Sequence, residues 1–334
     1  FGVHSAMPTA QALRLCPHAI LLPVRMDRYL EFSHQIHDIF SRFTARIEPV
    51  SIDEAFLDVT DCLRLLGPAE QIGRRIQSAI RTELQLTASL GIAPNKFLAK
   101  IASDLQKPGG FVIITEENRQ AILDPLPVSK IWGVGKVTAG ALESQAIRLI
   151  RDLRTTPLPQ LQALVGNAAP DLLDLARGID DRPVETESQA KSLSSETTFP
   201  EDLLDPQSLL PVLLAQVEEV AQRLRRKNLL AGSITLKFRY ADFRLITRGK
   251  TLPAPTATTQ TLWQYAKELF HTWHRQSAAP LRLIGFAAAG LTGKNKGQLL
   301  LFPDPDEEKQ AKLDQAIDAI QEHFGPDSLR RGGI

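Results

Sequence analysis

The sequence predicts an α+β fold with several domains, and three observations support this prediction. A chain of 334 residues exceeds the size of a usual single core, so roughly two to four domains are expected. Helical periodicity and short strand-like runs alternate in the first 115 residues. From residue 192 the candidate elements follow the order β-α-β-β-α-β, which predicts a split β-α-β domain with helices on one face of an antiparallel sheet.

Composition excludes several classes of protein. No apolar run reaches the roughly 18 residues that a membrane span needs, so we expect no membrane. The seven histidines contain no His-Glu-x-x-His pattern. The two cysteines, Cys16 and Cys62, have neither metal-ligand spacing nor the density of a disulfide framework, which indicates a reducing cytoplasm. The net charge of +1 argues neither for nor against binding of nucleic acid until the distribution of charge along the chain is examined.

Local patterns define the elements of the first 115 residues. Apolar residues at helical spacing predict three helices, and two segments rich in apolar and β-branched residues predict strands. The helices are expected over 10–15, 27–43 and 69–84, and the strands over 51–60 and 87–93, with 46–50 as a hairpin partner of the first strand.

The stretch Ser51–Thr60 sets two adjacent carboxylates, Asp53 and Glu54, in a run that otherwise reads as a buried strand. An ionised carboxylate removed from water needs a counter-charge, and oxygen ligands of this kind suit Mg²⁺. Neighbouring side chains of a straight strand point to opposite faces, so the chain must bend for both to reach one ion. A hairpin with the acidic pair near its tip would do so, and the alternative is a structural strand with a surface Asp-Glu.

A helix is predicted from Asn95, its N-cap, to a stop at Pro108. Its residues Lys96, Lys100 and Lys107 are spaced to form a basic stripe on one face. From the residues alone, Lys107 could simply complement the C-terminal end of the helix dipole.

The segment Ile131–Leu142 has the Gly-hydrophobic-Gly tip of a helix-hairpin-helix at Gly133 and Gly135, followed by Lys136 and a helix. Glycines let the backbone approach closely, and N–H groups at a helix start can hold a phosphate without reading a base. A plain turn is the alternative.

Residues 180–191 are polar, contain Pro183 and lack apolar periodicity, which predicts an interdomain tether. Beyond it, residues 223–250 hold nine Lys and Arg against one acid, Asp242, so the local net charge is +8. Alternation puts Lys237 and Arg239 on the face opposite the apolar residues, and this basic face, with Arg248, fits a DNA backbone. A solvated surface is the alternative.

The peptide Gln298–Phe302 joins three leucines and a phenylalanine after a basic linker. Such a surface must be covered, either by pairing as a final edge strand or by a partner. An acidic segment and an amphipathic helix with Leu313, Ile317, Ile320 and Phe324 follow.

In its motif Ser-Ile-Asp-Glu-Ala-Phe-Leu-Asp, at 51–58, the chain resembles the palm of the Y-family translesion DNA polymerases, most closely their bacterial DNA polymerase IV branch. The resemblance covers nearly the whole chain and implies a right-hand polymerase with an added little finger. The implied division is a remnant of the fingers at 1–25, palm at 26–115, helical thumb with the helix-hairpin-helix at 116–182, linker at 183–191, little finger at 192–292 and C-terminal tail at 293–334.

The resemblance also implies an activity, ligands and partners. The implied reaction is error-prone, template-directed synthesis in DNA repair, in which two Mg²⁺ ions assist transfer of a nucleotide to a primer 3′-hydroxyl. Asp53 and Glu54 would ligate metal, Glu54 would be catalytic, and Lys107 would bind the triphosphate. Primer-template DNA, including damaged DNA, would be bound by a monomer at the surfaces named above, and Gln298, Leu299, Leu301 and Phe302 would bind the sliding clamp.

Two expectations concern the limits of this resemblance. The segment Phe1-Gly2-Val3, with Met7-Pro8, follows a Tyr-x-x-Arg motif in the family, so about fifty residues, including the first metal-binding aspartate and the steric gate, are expected to be absent and the chain as given inactive. Some relatives are non-catalytic adaptors that bind DNA and the clamp. Adjacent carboxylates argue against an adaptor here, and a helix-hairpin-helix protein without activity would leave the palm unexplained.

Overall fold

The computed structural model describes residues 1–187, 189–276, 279–293, 305–325 and 328–329. Its chain forms two compact units, residues 1–188 and 189–334. Within the described ranges, no helix combines the length and the apolar character needed to cross a membrane.

The first part of unit 1 is built from two small sheets and the helices that cover them. The hairpin β1–β2 is antiparallel, β3 and β4 are parallel, and α2 packs on α4 through Ile39, Ile72 and Ile76. The elements are α1 (Thr9–Leu15), α2 (Met26–Ser41), β1 (Arg46–Pro49), β2 (Ala55–Asp58), α3 (Leu63–Leu66), α4 (Ala69–Leu84), β3 (Leu90–Ile92), α5 (Lys96–Leu105) and β4 (Phe111–Ile113).

Five short helices complete unit 1 and share one apolar core with α5. Phe97 and Leu98 of α5 are fully buried against Leu123, Leu142 and other residues of these helices. Asn95 caps α5 as predicted, because its side chain accepts the Leu98 N–H. The helices are α6 (Arg119–Leu123), α7 (Lys136–Glu143), α8 (Ile150–Thr155), α9 (Leu158–Val165) and α10 (Ala169–Ala176).

The predicted tether is shorter than expected, because its first residues pack on unit 1. The Asp180 carboxylate, only 2% exposed, accepts hydrogen bonds from the Phe97 N–H at 3.0 Å and from Arg182. The Glu185 N–H donates to Glu48 at 2.8 Å. Residues 180–185 therefore belong to unit 1, and lack of apolar periodicity did not mean lack of structure.

Unit 2 is a four-stranded antiparallel sheet in the order β5-β8-β6-β7, with two long helices over one face. Its order of elements confirms the β-α-β-β-α-β prediction. The strand β6 begins at Leu229, and its residues 229–231 pair with the end of β8. The elements are β5 (Ser192–Leu203), α11 (Pro206–Arg226), β6 (Leu229–Tyr240), β7 (Leu245–Thr256), α12 (Thr259–Gln276), β8 (Leu281–Gly293) and α13 (Pro305–Phe324).

Candidate active site

The two adjacent carboxylates lie in the turn between β1 and β2. The Ser51 hydroxyl accepts hydrogen bonds from the N–H groups of Asp53 and Glu54, at 3.2 and 3.1 Å, and the Val50 N–H donates to the Glu54 carbonyl at 2.9 Å. These bonds bend the chain and place the acidic pair at the hairpin tip. The predicted hairpin is therefore confirmed, but the buried strand over 51–54 is wrong: Asp53 is exposed and Glu54 half-buried.

A cleft of about 940 Å³ opens beside this tip, within unit 1. Apolar side chains of α2, α4 and β3 form its floor, including Phe40, Ile76 and Leu90. Charged side chains also line the cleft, among them Asp53, Glu54, Lys100 and Lys107. The cleft thus brings the predicted acidic pair and the predicted basic residue together in one place.

Lysines of α5 and the turn after it face the hairpin tip. The Lys100 Nζ lies 2.6 Å from Glu54 Oε1, whereas the Lys107 Nζ lies 3.9 Å from that oxygen and 2.6 Å from Asp104 Oδ1. The hydrogen bond that Lys107 donates to the Asp104 carboxylate raises the pKa of Lys107 above its usual value, and the charges of Glu54 and Asp53 act in the same direction. Lys107 is therefore fully protonated near neutral pH.

Two site residues, Lys100 and Asp104, were not assigned roles from the sequence. Lys100, Asp104 and Lys107 follow the spacing i, i+4 and i+7 on α5 and just beyond it, and residues at this spacing lie on one helix face. This spacing is the feature of the sequence that could have identified the first two. The predicted basic stripe is only partly correct. Lys96 is 8% exposed and paired with Glu48 at 2.8 Å, so it does not share an open surface with the other lysines.

The Lys96–Glu48 pair supports the base of the hairpin. Lys96 donates to both carboxylate oxygens of Glu48, which also accepts the Glu185 N–H. Burial by itself would raise the pKa of Glu48, but these hydrogen bonds hold it below its ordinary value. The pair ties β1 to α5, and so fixes the acidic tip relative to the lysines.

The carboxylates at the tip suit a divalent ion in their chemistry. Mg²⁺ takes oxygen ligands and is commonly bound through one or two carboxylates together with substrate phosphates and water. The Lys100 ammonium already lies against Glu54, so a positive charge is stabilised at this oxygen. Within the described part of the chain, no group of three or more His, Cys, Asp or Glu side chains is arranged to hold a metal. Asp53 and Glu54 fit a partial ligand set.

The predicted helix-hairpin-helix loop is exposed at its tip. Gly133 has φ +97°, a conformation that favours glycine, and Gly135 precedes the first turn of α7. A Cβ at either glycine would meet no atom within 4 Å, and Lys136 is exposed. Between them Val134 is buried and anchors the loop. The loop therefore presents backbone N–H groups and a cation to solvent.

In unit 2, the sheet has one face covered by helices and one open face, as alternation predicted. Leu236 and Phe238 are fully buried, whereas Lys237 and Arg239 lie on the open face. Lys237 pairs there with Glu196 of β5 at 2.6 Å. On β8, Gly285 lies opposite Lys237 and Leu283 lies opposite Arg239.

Arg248 does not join this surface. In an antiparallel pair, directly opposed residues point to the same face, and Arg248 lies opposite the buried Leu236. Its side chain therefore belongs to the side of the sheet that carries the helices, like Lys250, which pairs with Glu268 of α12. Grouping Arg248 with Lys237 and Arg239 was wrong because the register of β7 could not be read from the sequence.

The expected clamp-binding residues Gln298, Leu299, Leu301 and Phe302 lie outside the described residues.

Comparisons with known proteins agree over most of the chain. Residues 1–104 match the model of the impB/mucB/samB family, 190–301 match the C-terminal domain of that family, and 116–144 match its helix-hairpin-helix motif. A DNA polymerase IV from Desulfatibacillum aliphaticivorans is 40% identical over 335 residues, which cover 100% of this chain and 84% of the relative. A DNA polymerase IV from Xanthomonas axonopodis pv. citri is 43% identical over 89% of this chain and 82% of the relative.

Solved structures show the same architecture. A chimaeric Y-family DNA polymerase has a TM-score of 0.78 at 29% identity, over 87% of this chain and 84% of that one. An insertion ternary complex of the DNA polymerase Dbh has a TM-score of 0.60 at 29% identity, again over 87% of this chain and 84% of that one.

Proposed function

This chain belongs to the Y family of DNA polymerases, in the DNA polymerase IV branch, and we propose that Asp53 and Glu54 carry its chemistry. The family membership makes the protein a DNA-directed DNA polymerase of translesion synthesis, with DNA and deoxynucleoside triphosphates as partners. The observation that supports the proposal best is the hairpin tip itself, which presents two adjacent carboxylates to a cleft that is also lined by Lys100 and Lys107.

Divalent-metal dependence is consistent with the family, and we infer that two Mg²⁺ ions take part, with Asp53 and Glu54 among their ligands. Bound there, Mg²⁺ would supply electrostatic stabilisation of the reacting phosphate and lower the pKa of the attacking hydroxyl. Glu54 would exchange its contact with Lys100 for the ion, since both cations compete for the same oxygen. The flexible four-carbon stem of Lys100 lets its ammonium move away without a change in the backbone.

Lys107 is the residue that we assign to the triphosphate. Its side chain is half exposed in the cleft and protonated, and its partner Asp104 holds it near the hairpin tip. A fixed cation at this place would neutralise negative charge that develops on the leaving pyrophosphate, and such stabilisation contributes several kcal/mol, on the order of 3, in comparable sites.

Two surfaces would hold the DNA backbone. The loop with Gly133, Gly135 and Lys136 offers N–H groups and a cation to a phosphate, and Lys237 and Arg239 offer charge on the open face of the sheet. Neither surface displays a pattern of side chains that would read a base sequence, which suits a polymerase that must accept any template.

Three further features belong to the proposal. Gln298–Phe302 would dock in the apolar groove of the sliding clamp, because its leucines and phenylalanine need cover. The protein would act as a monomer. Both cysteines are free, which agrees with a reducing cytoplasm.

Primer extension by Glu54→Ala tests the central assignment. In the complete protein we expect extension to fall at least about a hundredfold, because the loss of one such electrostatic group commonly costs that much. Affinity for primer-template DNA, measured by fluorescence anisotropy, should change little, since the two DNA surfaces lie elsewhere. Glu117→Ala, which removes an exposed carboxylate outside the cleft, serves as the matched control.

Normal extension by Glu54→Ala would remove Glu54 from the mechanism. It would also revive the alternative of a non-catalytic adaptor, which the relatives named DNA polymerase IV do not favour.

A further inference from the structure

The last helix, α13, is an addition to a domain whose apolar core is complete without it. All buried apolar residues of the unit 2 core lie between Leu193 and Ala288. Among the described residues of α13, Asp314 alone is buried. The family's C-terminal domain matches residues 190–301, so it ends before α13 begins. The helix must therefore be held by contacts other than burial in this core.

One arginine of α11 anchors α13. Arg225 donates to both oxygens of Asp318, from Nε at 2.6 Å and from Nη2 at 2.8 Å, and its Nη1 donates to Asp314 at 3.2 Å. The same Nη1 donates to the Ala257 carbonyl and to the Thr259 hydroxyl. The Arg225 side chain is 16% exposed and Asp314 is 1% exposed, so these charges are largely removed from water.

Gln222 of α11 also donates to Asp318 and to the Gln321 side chain, and the remaining donors come from the end of β7 and the start of α12. The Thr259 N–H, at the first residue of α12, donates to Asp314 at 2.8 Å. The Thr261 hydroxyl donates to Glu307 at 2.5 Å, and the hydroxyls of Thr256 and Thr258 also hydrogen-bond to Glu307. We call this set the carboxylate cleft, defined by Arg225, Thr256, Thr258, Thr259 and Thr261. The hydrogen bonds described above from these five residues to α13 all end on carboxylates.

The contact face of α13 carries three carboxylates, and its large apolar residues are exposed except Ile317, which is half-buried. Glu307, Asp314 and Asp318 follow the spacing i, i+7 and i+11, which puts them on one helix face. Leu313, Ile320 and Phe324 are exposed, Phe324 by 71%. Attraction between desolvated charges is largely offset by the cost of removing them from water, so this face binds more weakly than an apolar one of equal size.

We propose that the carboxylate cleft is a binding site for an acidic helix, and that α13 is a reversibly bound occupant supplied by the chain itself. The chemistry that the cleft recognises is a helix with carboxylates at i, i+7 and i+11. Because α13 is tethered, its effective concentration is high, and a second acidic helix binds once α13 is weakened.

The test uses the full chain and a fluorescein-labelled peptide of residues 305–325, followed by anisotropy. The double variant Asp314→Asn/Asp318→Asn weakens α13 but leaves the cleft intact, so it should bind the peptide at least tenfold more tightly than the parent does. Adding Arg225→Met to that variant should abolish binding. Adding Arg226→Met instead, at the exposed neighbouring arginine, should preserve it.

Hydrogen exchange gives a second readout in the same proteins. Arg225→Met should deprotect the α13 amides at least tenfold while those of β6 and β8 stay protected, which also shows that unit 2 is folded. The proposal is overturned if the aspartate variant binds no peptide, if a peptide with both aspartates replaced by asparagine binds equally well, or if α13 and the sheet lose protection together.

Discussion

Single residues in the cleft decide the chemistry through the charges that face them. Glu54 lies against Lys100 and near Lys107, so the acidic tip is compensated before any ion or substrate is bound. Such compensation lowers the cost of placing charge beside an apolar floor, where an unpaired charge would be unfavourable. The site is thus prepared for both a cation at the carboxylates and an anion at the lysines.

Asp180 holds the end of unit 1 in place, and its ionisation stabilises the fold. Burial would raise the pKa of Asp180, but hydrogen bonds from Arg182 and the Phe97 N–H hold it below its ordinary value. A carboxyl group with a lowered folded-state pKa contributes stability above its unfolded pKa, about 3.9, and loses that contribution as the pH falls through the folded value.

We expect Asp180→Asn to reduce the free energy of unfolding of unit 1 by about 1–3 kcal/mol at pH 7, because a buried hydrogen-bonded charge is lost. The difference should persist at pH 5 and shrink below about pH 4, where the carboxyl group of the unfolded parent becomes protonated and then, at lower pH, that of the folded parent. Native-state hydrogen exchange of the α5 amides reports this unit alone. As a control, Asp181→Asn, at the exposed neighbour, should keep the free energy of unfolding within about 0.5 kcal/mol of the parent at every pH. A loss of stability in Asp180→Asn that does not change with pH would contradict the role assigned to Asp180.

Among the elements, β3 and α5 are held unusually close at Gly91. A Cβ at this position would lie 2.1 Å from the Ala99 carbonyl oxygen and 2.5 Å from the Ser103 nitrogen, both backbone atoms of α5. The close approach keeps α5, with Lys100, near the hairpin. Only glycine permits it.

Gly91→Ala should therefore lower the stability of unit 1 by about 1–3 kcal/mol, as overpacking of a core does. Gly140→Ala, in α7, places its Cβ in open space and should leave stability unchanged or raise it by up to about 1 kcal/mol. Calorimetric unfolding of both variants measures the difference. Equal effects of the two substitutions would show that the β3–α5 contact is not tight.

Register decides which basic side chains of the sheet share the open face that we propose to bind DNA. Lys237 and Arg239 share the open face, whereas Arg248 lies opposite Leu236 on the other. The DNA-binding constant falls with salt concentration, and each phosphate contact that is lost reduces the magnitude of the slope of log K against log salt concentration by about 0.9. We expect Lys237→Gln/Arg239→Gln to reduce the magnitude of this slope by about 1–2 in titrations of primer-template DNA, and Arg248→Gln to change it much less. A larger effect of Arg248→Gln would assign DNA to the other face.

The periodicity of apolar residues predicted most helices and strands. It could not predict which residues far apart in the sequence pair with each other. The helices α4 and α5 and the alternation of β6 were predicted correctly, because one buried face leaves a regular pattern. The turn at Ser51–Glu54 reads as strand, since the hydrogen bond from the Glu54 N–H to the Ser51 hydroxyl is local chemistry that a pattern of apolar residues does not reveal. The role of Asp180 depends on a partner 83 residues away in sequence.

At the scale of the whole molecule, the features described above are distributed over two units. Unit 1 holds the acidic pair, the lysines and the helix-hairpin-helix loop, and unit 2 holds the open basic face and the carboxylate cleft. The local net charge of +8 over 223–250 does not form one surface. Arg225 is occupied by α13, Lys250 by α12, and Lys237 is paired with Glu196. The net charge counted along this segment is therefore larger than the positive charge that is available to bind DNA.

The central claim is that Asp53 and Glu54 bind the divalent ion that DNA synthesis requires. Its most direct test is a Mn²⁺ titration of the complete protein, followed by electron paramagnetic resonance, with a dideoxy-terminated primer-template and the matching deoxynucleoside triphosphate. We predict that Asp53→Asn/Glu54→Gln weakens binding of at least one ion by tenfold or more, whereas Glu117→Gln matches the parent. The same number of ions at unchanged affinity in the double variant would contradict the account.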